Sequence, residues 1–409
     1  MLGNKVIIGG GPAGLMAAIT AAEKGGEVIL IEKNAKIGRK LIITGKGRCN
    51  VTNNCDIDTL IANTPKNARF LYSAFSRFTP QDVIEFFESS GLSLKTERGN
   101  RVFPISDRAM DVVDTLYKKL RENSVKIITD TAECVLAEGG KVSGVKLKGG
   151  EIISADSVLI ATGGMSYPLT GSTGDGFRFA RTLGHTVTDI KPSLVPLECH
   201  EGFCSKISGL SLKNVTLSVF EEGKKKAVFS EMGEMLFTHF GISGPLVLSA
   251  SAKIKNIDTK KYTAVIDLKP ALSSEQLDKR ILRDFEEQSN KDFANSLNKL
   301  LPKSLIPVIV SLSKIEADRK VNQISKSERL ELCKLLKSFT LNITSFRPIE
   351  EAIVTSGGVS VKEINPATME SKIINGLFFA GEVMDVDAFT GGFNLQIAFS
   401  TGYLAGINM

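Results

Sequence analysis

The chain has 409 residues, 42% of them hydrophobic and 23% charged, with a formal charge of +6. That length and balance suit a globular chain with a sizeable core and no need of staples. The small cation surplus and the absence of basic–aromatic clusters point to neither nucleic acid nor membrane as partner, and no apolar run is long enough to span a bilayer.

Taken in order, Lys5–Gly9 reads as a short apolar strand, Gly14–Lys24 as a helix, and Glu27–Glu32 as a second apolar strand. This is a β–turn–α–β unit of a parallel sheet. RFLYSAFSRF, PQDVIEFFESSG and RAMDVVDTLYKKLREN read as helices, the second entered through Pro80. Residues 125–164 switch to strands, with hairpin turns at the glycine pairs 139–140 and 149–150. Residues 192–270 hold short β-like runs, and 271–345 are Lys-rich and helical, most simply a solvated face. Glycine-rich α/β sequence returns from about Arg347. The expected organisation is therefore a discontinuous domain, 1–191 with 346–409, carrying an insert at 192–345.

The six cysteines form no CxxC pair, which points to reduced thiols and a cytoplasmic protein. The apolar start runs straight into GGPAG and does not read as a signal peptide. His185, His200 and His239 are far apart, so no metal site is expected.

Gly9-Gly10-Gly11-Pro12-Ala13-Gly14 fits G-x-G-x-x-G. It follows a strand, opens a helix, and leads to a strand ending in Glu32, 18 residues past Gly14. That context is the dinucleotide fingerprint. Gly9 makes the turn, Gly11 admits the pyrophosphate, and Gly14 lets the helix pack on the strand. The helix N-terminus at Pro12 and Ala13 faces the phosphates, and Glu32 accepts from the adenosine ribose. The fingerprint leaves NAD and FAD open. SVLIATGG, ending in Ala161, Thr162 and Gly163, resembles the strand that returns near FAD in flavoproteins with two dinucleotide-binding domains. GLFFAGE, with Gly381 and Glu382, resembles the motif that sets an acid on the flavin ribityl chain. Gly391, Gly392 and Asn394 then precede a helix over 395–406, starting at Leu395, whose dipole would face the flavin pyrimidine ring.

GGGPAG, IEKNAKIGRKLIITGKGRCNVTNN, ATGGMSYPLTGSTGDGF, EMLFTHFGISGP and GLFFAGEVMDVDAFTGGFNLQIAFSTG together resemble the BaiN/YhiN-like flavoproteins. That family is similar to aminoacetone oxidases and to flavin-dependent reductases of 3-dehydro bile acids. The resemblance spans essentially the whole chain. It implies an α/β fold: a Rossmann-like FAD-binding domain with an inserted β-rich plus helical domain, and a tightly bound FAD. Lys33 and Val135 join the cofactor contacts on this ground. Gly38-Arg39 stands where paired glycines are usual, so Arg39 and Lys40 would contact the adenosine or pyrophosphate part. Cys49 and Cys55 are one residue too far apart for the CxxxxC of disulfide reductases. The backbone of Gly45 to Asn50 and the charge of Arg48 would instead surround the flavin or its phosphates, with Cys49 a small neighbour of the ring.

No second strand–GxGxxG–helix–strand unit is present, so NAD(P)H would bind transiently at the flavin face. GSTGDG reads as a helix-opening turn near the flavin. Ser166 and Tyr167 read equally as active-site lining or as a turn, and His239 as a packed residue. The expected protein is an FAD-dependent oxidoreductase acting on a small molecule, with the insert capping the flavin. The first reading is an NAD(P)H-linked reductase of a small or steroid-like enone. Alternatives are an amine oxidase using oxygen, a flavin-binding sensor without turnover, and an NAD dehydrogenase without flavin. No catalytic side chain and no oligomeric state follow from the sequence.

Overall fold

KVII, VILIE and SVLI are rich in β-branched and leucine side chains and are buried on both faces, as a parallel sheet covered by helices requires. In the computed structural model, which describes residues 3–409, they lie side by side. The sheet order is Leu377–Phe379, Ser157–Ile160, Lys5–Ile8, Val28–Glu32, Lys126–Thr129, and every neighbouring pair is parallel. The carboxyl ends therefore share one edge, the edge where open α/β sheets bind ligands.

The chain divides into two units, Met1–Ser193 with Pro348–Met409, and Leu194–Arg347. In the first, the helix Pro12–Glu23 packs against the C-terminal helix Phe393–Asn408 at backbone distance. A Cβ on Gly402 would overlap the Ala13 carbonyl oxygen. The helix Ala109–Glu122 buries Val112, Val113, Leu116 and Leu120 as one stripe. Ala132–Glu138, Lys141–Leu147 and Ile152–Ser154 form an antiparallel meander. Thr52–Asn53, Arg101–Pro104 and Leu94–Glu97 make a second small antiparallel sheet, whose short, charged strands the sequence does not announce.

The second unit is a closed six-stranded barrel: Leu197–Cys199, Gly241–Ser243, Phe229–Thr238, Ser211–Glu221, Tyr262–Asp267 and Phe339–Phe346. The helices Ser274–Glu286 and Lys326–Lys337 open with capping boxes at Ser273 and Ser325. One expectation is corrected here. The reading of 271–345 as helical fails at Phe339–Phe346, which alternates buried and exposed residues and closes the barrel against Tyr262–Asp267 and Leu197–Cys199. Its period of two lies directly after a helix and was absorbed into it. Pro192, assigned to the insert, belongs to the first unit, where Lys191–Ser193 pairs with Val354–Ser356. Among the described residues no helix is long and apolar enough to cross a membrane, and no cluster of three or more His, Cys, Asp or Glu could hold a metal ion.

Candidate functional site

Four loops leave the carboxyl ends of adjacent parallel strands: Gly9–Gly11, Lys33–Asn34, Ala161–Gly163 and Gly381–Glu382. Gly9 is left-handed (φ 108°), and a Cβ there would sit 2.6 Å from the Ala161 carbonyl oxygen, so two of these loops meet in backbone contact. A Cβ on Gly14 would overlap the Gly9 carbonyl oxygen. Above Gly11 nothing lies within 4 Å. The helix behind it has no side-chain cap and no acid in its first turn. Its free N–H groups and positive dipole end thus open onto empty space, an arrangement that suits a diphosphate.

Glu32 is 9% exposed and braces this turn. One carboxylate oxygen accepts from the Gly10 N–H at 2.8 Å, and the other accepts from the Asn34 backbone and side-chain N–H groups, both at 2.7 Å. Lys33 donates to Asp175 at 2.7 Å and to Thr173 at 2.5 Å. This pair seats GSTGDG, which opens the helix Asp175–Thr182, beside the segment that follows Glu32. Arg39 is exposed and donates to the Asn34 side chain at 2.8 Å.

Lys40 and Glu382, expected to meet the cofactor separately, form an ion pair at 2.7 Å. Lys40 also donates to Ser166 Oγ at 2.7 Å. The other Glu382 oxygen accepts from the Thr355 N–H at 2.7 Å and from Ser166 Oγ at 3.1 Å. Thr355 Oγ1 in turn accepts from the N–H groups of Met165 and Ser166. Three chain segments thereby close on the Glu382 carboxylate. Ser166 belongs to this network, while Tyr167 is a left-handed turn residue (φ 52°) whose N–H donates to the Glu350 carbonyl. Thr162 Oγ1 is buried without a hydrogen-bond partner, and Val135 is packed in the core.

The loop Thr44–Gly47 and its neighbours correct an expectation. Gly45, Lys46, Gly47 and Cys49 are left-handed. Arg48, however, is held by Asp107 at 2.8 Å and by Glu97, and lies 4.1 Å over the Phe103 ring. Its charge is neutralised in place, so it is not offered to a phosphate. Cys49 is fully buried, and burial pushes its thiol up to about 12, so it is no redox thiolate. The Asn50 side chain accepts from the Val102 N–H at 3.1 Å.

After Asn50 the chain meets the C-terminal glycine turn. Asn53 donates to the Gly391 carbonyl at 2.9 Å, and a Cβ on Gly392 would overlap Thr52 backbone atoms. The C-terminal helix starts at Phe393, two residues earlier than expected, so Asn394 and Leu395 lie in its first turn. The Asn394 side chain is occupied by Ala388, accepting from its N–H at 2.9 Å and donating to its carbonyl at 2.7 Å. Its side chain therefore shapes its own loop.

Sequence reasoning missed Thr355, Asp385, Asp387 and Gln396. Asp385 pairs with Lys66 at 2.6 Å, and Asp387 accepts from Ser193 and Ser356. Gln396 lies fully buried and donates to the Phe78 carbonyl at 2.9 Å. The available signal was polar residues inside an otherwise apolar helix, FNLQIAFSTG. His239, expected to be packed, is exposed in the other unit, with its ring edge-on to that of the neighbouring Phe240.

The HI0933-like protein Rossmann domain matches residues 4–408. The 3-dehydro-bile acid delta(4,6)-reductase of Clostridium scindens is 33% identical over 98% of this chain and 97% of its own length. The ribosomal RNA dihydrouridine synthase of Escherichia coli is 29% identical over 98% of this chain and 96% of its own. Among solved structures, a 3-ketosteroid delta1-dehydrogenase from Sterolibacterium denitrificans covers 99% of this chain and 98% of its own at a TM-score of 0.54 and 12% identity, a likeness of fold. With a Rossmann-type FAD-binding domain, this is a flavin-dependent oxidoreductase and FAD is its cofactor. The chain belongs to the HI0933-like Rossmann-domain family, that of the BaiN/YhiN-like flavoproteins.

Proposed function

We propose that this protein reduces a carbon–carbon double bond conjugated to a carbonyl in a small or steroid-like molecule, with NAD(P)H as the source of hydride. The observation that carries the reading is the full-length relative that reduces a 3-dehydro bile acid at delta(4,6), as its name states. Such a bond is polarised by the carbonyl. Hydride adds to the carbon remote from it, a proton adds to the nearer carbon, and the nicotinamide is oxidised. FAD, when bound, supplies the hydride carrier at its N5. On this reading Gly9, Gly11, Ala13 and Gly14 hold the pyrophosphate and Glu32 the adenosine ribose. Lys40 and Glu382 act there as one neutral pair, fixing the Gly381–Glu382 turn.

Anaerobic stopped-flow tests the donor. NADH or NADPH should bleach the flavin rapidly, and a 3-oxo-Δ4,6 bile acid should restore the colour. Bleaching by an amine and not by a nicotinamide would replace this reading with the oxidase.

A second reading takes uridine in RNA as the conjugated system. Two full-length relatives named ribosomal RNA dihydrouridine synthase favour it. So does charge: residues 194–347 carry 24 Lys and Arg against 18 Asp and Glu, while the remainder is neutral at 27 against 27. Mass spectrometry of ribosomal RNA decides it. A uridine gaining two hydrogens only when the gene is present selects this reading over the first.

A further inference from the structure

Most of the barrel unit's surplus charge sits in one place. Residues 194–347 carry 24 Lys and Arg against 18 Asp and Glu, a surplus of six. Two short segments, 221–226 and 253–261, hold seven lysines against Glu221, Glu222 and Asp258, a surplus of four. They are separate in sequence, and the fold makes them neighbours. The first joins the barrel strands Ser211–Glu221 and Phe229–Thr238, and the second leads into Tyr262–Asp267. Glu221 pairs in register with Tyr262, and the Glu222 N–H donates to the Lys261 carbonyl at 2.9 Å. The Glu221 carboxylate lies between Lys224 at 2.7 Å and Lys260 at 2.9 Å. Tyr262, 3% exposed, anchors the second segment: its hydroxyl donates to the Lys255 carbonyl at 2.8 Å and accepts from the Lys255 N–H at 3.3 Å. The lysines therefore stand on turns held by the barrel. Lys225, Lys226 and Lys255 are exposed, and among the described residues no carboxylate pairs with them. No large apolar side chain is exposed in either segment.

We infer that this lysine end of the barrel is a docking surface for RNA, held through its phosphate backbone. The inference rests on the second reading above for its partner and on the paired turns for its place. A chain of phosphates gains counterion release from each ammonium it meets, on either turn. A membrane surface would call for an apolar side chain to insert beside the cations, and neither turn offers one. Backbone contacts of this kind position a nucleic acid without reading its sequence, so choice of the uridine is left to the site that reduces it. The composition of the whole chain hides the surface, because the Rossmann unit is neutral and the two lysine segments meet only in the folded barrel.

The test measures anisotropy of a fluorescent, uridine-rich single-stranded RNA with the full-length, flavin-loaded protein across a salt series. Changing Lys225, Lys226 and Lys255 together to Gln should make the slope of log Kd against log salt shallower by about 2, at about 0.7 per lost contact, and weaken low-salt binding about tenfold. A control changes Lys279, Lys303 and Lys334, exposed lysines on the helical side of the same unit, to Gln and should keep the parent slope. Melts and flavin content show that both variants are folded. No binding by the parent at ~50 mM salt would overturn the inference. Equal losses in the two triple variants would overturn it as well, since the attraction would then be diffuse. Binding to phosphatidylserine vesicles in place of RNA, lost in the first variant alone, would replace RNA with a membrane. Failure of the second reading is seen separately, as RNA that binds at this surface while no uridine in ribosomal RNA gains two hydrogens.

Discussion

The two units bury different things. In residues 194–347 the interior is apolar, with Leu217, Val219, Phe237 and Phe339 at 0% exposure and few buried polar groups, among them Asp284 and Gln288. In the Rossmann unit, Glu32, Ser166, Thr355, Asp385, Asp387, Gln396, Ser400 and Thr401 are all buried, several of them at or near the carboxyl edge of the sheet. Burying a polar group is costly unless it is paired. Nearly all of these are paired, to loops that share no sequence neighbourhood. The barrel has a core that keeps it folded; the Rossmann unit has in addition a polar scaffold that holds loops in place around an open helix end.

The sharpest way to break this contrast is to crowd the scaffold. Gly14→Val should destabilise the Rossmann unit by about 3 kcal/mol and give colourless protein, because no space exists for its side chain. Gly11→Val should leave the fold intact, since its Cβ meets nothing, yet weaken FAD binding at least tenfold, ~1.4 kcal/mol. Denaturant melts and flavin titration separate the two. Equal behaviour of the two variants would show that the space above Gly11 is not the cofactor's.

Next in size is Glu382→Ala. It leaves the Lys40 ammonium, Ser166 and the Thr355 N–H without their partner and should cost about 1–3 kcal/mol in the melt. Combining it with Lys40→Met should cost less than the sum of the two single changes. Strict additivity would dissolve the network. Cys49→Ala should cost about 1 kcal/mol while keeping the yellow colour and turnover, because the thiol is fully buried and protonated. Loss of turnover with flavin retained would restore a redox role to it.

The smallest effect contrasts the units by pH. Arg319 and the Ser325 cap hold Glu328, in the barrel unit, down to about 2, below its ordinary 4.5. Its stabilising contribution is present above about 4.5 and is lost as pH falls toward about 2. Burial raises Asp387, in the Rossmann unit, above its ordinary 3.8. Its contribution has the opposite sign: it is fully present below 3.8 and disappears as pH rises through the folded value. Melts of Glu328→Gln and Asp387→Asn against pH should therefore lose opposite slopes. Parallel slopes would remove this distinction between the units.

By itself, the sequence determined the fingerprint β–turn–α–β, the returning strand Ser157–Ile160 and the glycine turn before the last helix. Each is a local pattern, readable from period and glycine spacing within one stretch of chain. The barrel was legible as β-rich sequence but not as a closed barrel, because its last strand follows directly on a helix and pairs with strands more than 70 positions away. Only the tertiary structure decided which charges face a ligand and which face each other. Lys40 finds Glu382 across 342 positions, and Arg48 finds Asp107 across 59. An ion pair between distant residues leaves no spacing to read, and a lone Arg in a glycine-rich loop looks the same whether its partner is a phosphate or a carboxylate of its own chain.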